Sequence, residues 1–224
     1  MALDFTQRAT EPELLDADVP ASEAALSLRD LRWVNRWLGG RRSLLHAVGP
    51  LLDGAPRPRL LDVGCGSGDM PAAVLQACGQ RLLAVGVDLK HSHLLQAPAT
   101  IQRVVGDVRQ LPFPPESFDV VTASLFLHHF DGDEVAQVLR RLYALARRGL
   151  VVNDLHRARL PYLFARAVFP WVFASRLSVN DGLLSIRRAF TPHELRAAFE
   201  QAGIPGVRVR RAFPYRLVAV AVKP

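Results

Sequence analysis

Apolar residues in this chain fall into short runs separated by polar turns, and the runs have two periods. Leu60–Val63, Leu82–Val87, Ile101–Val105, Phe118–Ala123 and Leu150–Val152 are dense and short. Continuous apolar stretches bounded by turn residues fit strands buried on both faces. Between and before them the period is helical. Leu28, Leu31, Val34 and Leu38 share one face of a segment that starts near Ser22 and is expected to end at Gly39-Gly40. Arg41 to Val48 predicts a second helix running into Pro50, and Ala72 to Cys78 a third. Val135, Val138, Leu142 and Leu145 predict a helix over about 133–147, with Gly149 as its stop. Strands alternating with helices predict a parallel sheet with helices on both faces. Thr191-Pro192-His193-Glu194 carries a capping signature and opens a helix to about Ala202. The last runs, Val207–Arg210 and Leu217–Val222, are too close for a helical crossover and must pair antiparallel. The expectation is a single α/β domain over 1–224. Its seven-stranded sheet is mostly parallel with one antiparallel strand. Residues 1–52 supply a loosely packed tail, to about residue 20, and N-terminal helices.

Composition narrows the class. Half of the 224 residues are hydrophobic and charge is ordinary, so the chain is globular. Net charge is +7, but the arginines are scattered rather than drawn into a stripe, which speaks against nucleic acid. Two cysteines, Cys65 and Cys78, make no disulfide framework and fit a reducing, cytoplasmic compartment. Met1 to Glu11 lacks the apolar core of a secretory signal. No stretch has 18 uninterrupted apolar residues, so no spanning segment is expected.

The chemistry gathers at Leu60–Asp69, which reads Leu-Leu-Asp-Val-Gly-Cys-Gly-Ser-Gly-Asp. A strand enters a glycine loop that opens a helix, a corner suited to the anionic part of a nucleotide-like cofactor. Asp88 ends the second strand twenty residues after Gly68, placed to accept ribose hydroxyls. Asp107 follows the third. A nicotinamide fingerprint wants glycine or alanine where Asp69 stands, and the spacing here is G-x-G-x-G.

Leu-Asp-Val-Gly-Cys-Gly-Ser-Gly, then Val-Asp88, then Gly-Asp107 resembles the class I, Rossmann-like S-adenosylmethionine-dependent methyltransferases, over roughly residues 55–155. The resemblance implies S-adenosylmethionine as cofactor and S-adenosylhomocysteine as product. It implies that Asp62, Gly64, Cys65, Gly66 and Gly68 surround the methionine part and that Asp88 holds the ribose. Leu89 and Val108 would flank the adenine, Asp107 would bond its amino group, and Ser124 would line the methyl-transfer site. Cys65 reads as a small residue that fits the loop, not as a nucleophile.

The acceptor side is less defined. Trp33 and Trp37, four apart, either pack in the core or face the site. Residues 155–190 form an expected helical lid with five aromatic side chains between Tyr162 and Phe173, broken by Pro161 and Pro170. It reads as ordinary helix packing, as a roof over the acceptor, or as an amphipathic face in weak contact with a membrane surface. Phe126, Phe164, Phe169 and Trp171 are the substrate-side candidates with the two tryptophans. No Asn/Asp-Pro-Pro-aromatic motif follows strand four and no recognition domain is appended, so a small acceptor is expected. The lid also resembles bacterial enzymes of polyketide and quinone-type secondary metabolism. A phenolic or enolic oxygen is the first choice, and a ring carbon the alternative. A non-catalytic cofactor-binding protein is the reading from another class. His156 and His129 are the candidate bases, alignment without a base being the alternative. His91, His93, His128 and His129 are too sparse for metal-ligand spacing, so no metal is expected. Acceptor identity and the choice between monomer and homodimer stay open.

Overall fold

The dense apolar runs are the strands of one sheet. In the computed structural model, which describes residues 5–79 and 81–224, these are β1 (Arg59–Val63), β2 (Leu83–Asp88), β3 (Gln102–Val105), β4 (Phe118–Ser124), β5 (Ala146–Leu155), β6 (Arg208–Ala212) and β7 (Arg216–Val222). Their order is β3-β2-β1-β4-β5-β7-β6. β1 to β5 pair in parallel, and β7 is antiparallel to both β5 and β6. Strand order reverses between β1 and β4, which opens a crevice at their carboxyl ends.

Helices cover both faces: α1 (Ala21–Trp37), α2 (Gly40–Leu52), α3 (Asp69–Cys78), α4 (His91–Leu94), α5 (Asp133–Leu145), α6 (Arg159–Val172), α7 (Arg176–Arg188) and α8 (Pro192–Gln201). One core packs the sheet against Val135, Leu139 and Leu142 of α5 and Leu195 and Phe199 of α8. The other packs it against Leu44, Val48 and Leu51 of α2 and Met70 and Val74 of α3. α8 begins with the expected capping box between Thr191 and Glu194. Among the described residues no helix is long and apolar enough to cross a membrane.

Three boundaries differ from expectation. α5 stops at Leu145, and Gly149 lies inside β5 opposite Val120 and Val222. A Cβ there would sit 2.8 Å from the Ala221 carbonyl, so this glycine permits close strand approach. α2 runs on through Pro50 to bury Leu51 and Leu52. Neither lid proline breaks a helix: Pro161 stands in the first turn of α6, where its missing N–H is harmless, and Pro170 in the last.

The tail is not loose where it is described; Met1 to Asp4 lie outside the described residues. Arg8 donates from Nη2 to the His128 and Phe130 carbonyls, 2.9 Å each, and from Nε to the Arg188 carbonyl at 2.6 Å. The Leu14 and Leu15 N–H groups each donate to the Asp181 carboxylate at 2.9 Å, and Lys90 Nζ reaches the Leu15 carbonyl at 2.7 Å. Residues 8–17 thus form a strap across the crevice.

The lid is α6 and α7, with its own core of Tyr162, Ala165, Phe169 and Ile186. Asp30 of α1 is buried beneath its corner and accepts the Ala174 and Ser175 N–H groups at 3.1 Å. Ser175 then caps α7. Leaving these donors unsatisfied costs about 1–3 kcal/mol. Asp30→Ala is therefore expected to lower unfolding free energy by about that much and to speed hydrogen exchange in the lid. Unchanged exchange in residues 173–178 would contradict this role.

Candidate active site

A cavity of about 470 Å³ lies over the carboxyl ends of the parallel strands, enclosed by α1, the strap and the lid. Its floor is the glycine loop. Gly64, Gly66 and Gly68 have φ of 67°, 53° and 67°, and α3 starts behind Gly68. At Gly64 a Cβ would collide with the Phe126 ring as well as strain the backbone. Asp88, at the tip of β2, accepts the Gly66 N–H at 2.8 Å and the Lys90 N–H at 2.9 Å. Asp107 accepts the Arg109 N–H at 2.9 Å, which fixes the turn holding Val108. Gly64, Gly66, Asp88, Leu89, Asp107 and Val108 all line the cavity, Leu89 largely exposed at its mouth.

Asp62, Cys65, Gly68 and Ser124 do not line it; they lie behind its wall. Asp62 is buried, and burial lifts its pKa to about 7; the Thr122 hydroxyl, 2.6 Å away, opposes the rise and Asp69 and Asp88 add to it. Cys65 Sγ packs over Gly86, and burial, with Asp62 and Asp88, pushes its thiol up, so it stays protonated and inert. Gly68 packs on Ala97. Ser124 ends β4 with its hydroxyl buried; the next residue, Leu125, has φ 51° and lines the cavity with Phe126.

On the lid side, Phe164 and Phe169 line the cavity, Phe169 stacked on Phe173 at 4.2 Å. The three tryptophans do not. Trp33 packs edge-on against Phe173, Trp37 is 61 % exposed and Trp171 is 87 % exposed. The inward face of α1 is set by Leu28 and Val34, which turns Trp37 outward beside Arg36. The outer face of α6 leaves Leu160 and Leu163 exposed with Trp171.

His129 and His156 both line the cavity. Burial, then Arg211 and Arg157, holds the His156 pKa below the usual histidine value. His129 Nδ1 pairs with Asp16 at 3.1 Å. His128 is buried, with Nδ1 2.7 Å from Asp154. Burial works against its charge, but Asp154 and Glu13 outweigh it and raise its pKa to about 10.

Residues 60–149 match the family model described as a methyltransferase domain. The chain is 26% identical to the demethylmenaquinone methyltransferase of Lysinibacillus sphaericus over 170 residues, 68% of this chain and 72% of that one. The fold resembles a putative O-methyltransferase from Nostoc punctiforme (TM-score 0.61, 20% identity, 88% of this chain) and human N-acetylserotonin methyltransferase in complex with S-adenosylmethionine (TM-score 0.65, 17% identity, 91% of this chain). The chain spans 60% and 56% of those two proteins. Residues 60–149 therefore carry a methyltransferase domain, on a fold shared with solved methyltransferases. S-adenosylmethionine is the molecule bound in the N-acetylserotonin enzyme.

The methyltransferase's own residues fit that molecule. Beyond the glycine cradle and Asp88, Arg216 lines the cavity fully buried. Its Nη2 donates to Asn35 Oδ1 at 3.1 Å and its Nε to the Leu38 carbonyl at 3.2 Å, while Nη1 has no hydrogen-bond partner. Burial lowers its pKa to about 10, with Asp154 and Asp69 acting in the opposite direction. Sequence reasoning passed over Arg216 and Glu13; it offered Asn35 as a polar handle beside the tryptophans and Asp154 as the partner of His156, whereas Asn35 bonds Arg216 and Asp154 pairs with His128. The one signal was an arginine leading the otherwise apolar β7.

Asp62 offers a test of the site's electrostatics. A carboxyl whose folded pKa is raised contributes stability in full below its unfolded value, near 3.8, and loses it as pH rises through about 7. Asp62→Asn keeps an acceptor for Thr122 and carries no charge. Its stability relative to the native protein is expected to grow between pH 4 and 7, by at most about 1.4 kcal/mol per pH unit. Parallel stability curves would contradict the assignment.

Proposed function

We propose that this methyltransferase methylates a small, largely apolar acceptor bearing a ring hydroxyl, of quinol or polyketide type, with the oxygen as acceptor atom. The observation that carries the reading is one continuous cavity joining Asp88 and the glycine loop to an aromatic wall of Phe164, Phe169 and Phe173. Such a wall selects by apolar contact rather than by charge. The relatives named as demethylmenaquinone methyltransferases support a quinone-type acceptor and keep ring-carbon methylation as the alternative.

In this reading Asp88 holds the ribose, Asp107 the adenine amino group, and Leu89 and Val108 the adenine faces. Gly64 and Gly66 let the backbone approach the methionine part, and Arg216 Nη1 meets its carboxylate. Asn35 orients Arg216, and Arg41, 3.6 Å from Asp69, balances the acid at the start of α3. When bound, the cofactor supplies an electrophilic methyl group on a sulfonium sulfur. The protein aligns the acceptor, excludes water and accepts a proton. His156 is suited to take it, because its depressed pKa keeps an imidazole nitrogen free near neutral pH. His129 is the second candidate. His128 is unsuited, since its Nδ1 is engaged by Asp154 and its Nε2 faces Glu13 rather than the acceptor.

A panel of hydroquinones and phenols incubated with the enzyme and S-adenosylmethionine is expected to yield S-adenosylhomocysteine and an O-methylated product by mass spectrometry. Asp88→Ala should weaken cofactor binding at least tenfold, given about 1.5–3 kcal/mol per bond to a charged acceptor. His156→Ala should lower kcat by about 10² or more with cofactor affinity kept. No turnover on any ring hydroxyl, or native cofactor affinity in Asp88→Ala, would overturn the proposal.

A further inference from the structure

Three side chains converge on the cavity wall: Glu13 from the strap, and His128 and His129 from the turn after β4. One ligand atom from each lies within 4.8 Å of the others. His128 Nε2 is 3.3 Å from one Glu13 oxygen, and His129 Nε2 is 3.9 Å from the other. Both histidines have Nδ1 held from behind by a carboxylate, His128 by Asp154 at 2.7 Å and His129 by Asp16 at 3.1 Å. The rings stack at 4.5 Å, so their Nε2 atoms turn toward the same acid. Ser185 Oγ fixes that acid from the lid, donating to Glu13 Oε1 at 2.6 Å.

A carboxylate behind each imidazole is the arrangement that orients histidine ligands on a metal. His128 Nε2 is buried and makes no hydrogen bond. An ion at Nε2 would take the place of the proton that His128 carries between Asp154 and Glu13, and that proton leaves on binding; the proton bridge alone accounts for one ring. It leaves unexplained why His129, already paired with Asp16, turns Nε2 to the second Glu13 oxygen. A tetrahedral ion with bonds of about 2.0–2.2 Å separates its ligands by about 3.3–3.6 Å, close to the spacings seen.

We propose that Glu13, His128 and His129 bind a divalent transition-metal ion of the zinc type, with its open position toward the cavity. Two imidazoles and one carboxylate suit Zn²⁺ and its first-row neighbours, whereas Mg²⁺ and Ca²⁺ want oxygen donors. Three protein ligands leave room for a fourth from the acceptor. The use of the site rests on the function proposed above: a hydroxyl taking that position would be acidified and oriented for methylation. Metal binding itself does not depend on that function.

The test uses the full chain, stripped with a chelator and titrated with Zn²⁺ alone by calorimetry, with bound metal counted by mass spectrometry. One Zn²⁺ per chain is expected. Glu13→Gln and His129→Ala should each weaken binding at least 100-fold, and Asp16→Asn about 10–100-fold. His193→Ala, on the exposed face of α8, should change nothing. Stabilisation by S-adenosylhomocysteine, measured on the same variants, shows that fold and cofactor site are intact. Absence of stoichiometric Zn²⁺, or less than a tenfold effect from both Glu13→Gln and His129→Ala, overturns the site. If methylation proceeds equally well in metal-free protein, the proposed use of the ion is overturned, while the metal site and the methyltransferase reading stand.

Discussion

The carboxylate of Asp88 holds the structure's working end together. It reaches across from β2 to accept the Gly66 N–H, and its other oxygen accepts the Lys90 N–H. One side chain therefore fixes the glycine loop of β1 and the turn after β2 in a single unit. Lys90, set by that turn, anchors the strap through the Leu15 and Ala17 carbonyls. The acid proposed to hold the ribose thus also fixes the cavity's floor and one of its walls.

The remaining walls depend on arginines turned inward. Arg188 donates to the carbonyls of Glu11, His128 and His129. Arg157 bonds the Ala189, Phe5 and Thr6 carbonyls and pairs with Glu194 at 2.5 Å. Arg8 bonds three more carbonyls from the strap. A guanidinium carries five donors, so each can satisfy several loop carbonyls that no sheet or helix reaches. Part of what composition presents as basic charge is internal cross-linking of strap, lid and sheet. The burial of these cations is compensated by hydrogen bonds to carbonyls together with ion pairs, Arg157 to Glu194 and both Arg8 and Arg188 to Asp131.

Strands and cofactor corner were legible because their signals are local. A buried parallel strand reads as a dense apolar run, and a glycine loop followed by acids at fixed intervals puts Gly64, Gly66, Asp88 and Asp107 on one crevice, where they line the cavity. The antiparallel β7 followed from the short link at residues 213–215 alone. The end of α5 was misjudged because Gly149 resembles a helix stop, whereas it lets β7 and Leu51 approach β5 closely. The strap was illegible for a physical reason. Its bonds join Arg8 to residues 120 to 180 positions away, and nothing in its own periodicity records them. The same holds for Glu13 and Arg216, each a single polar residue whose partners come from distant segments. Helical spacing put Trp33 and Trp37 near one another but could not say which face of α1 turns inward.

Cofactor and acceptor sharing one cavity, head to tail, is the central claim. A crystal structure with S-adenosylhomocysteine bound tests it most directly. The expected result places the ribose hydroxyls on Asp88, the carboxylate on Arg216 Nη1, and the sulfur facing the space under Phe164 and Phe169. A homocysteine end directed away from that aromatic wall, with Arg216 still unpaired, would contradict the account.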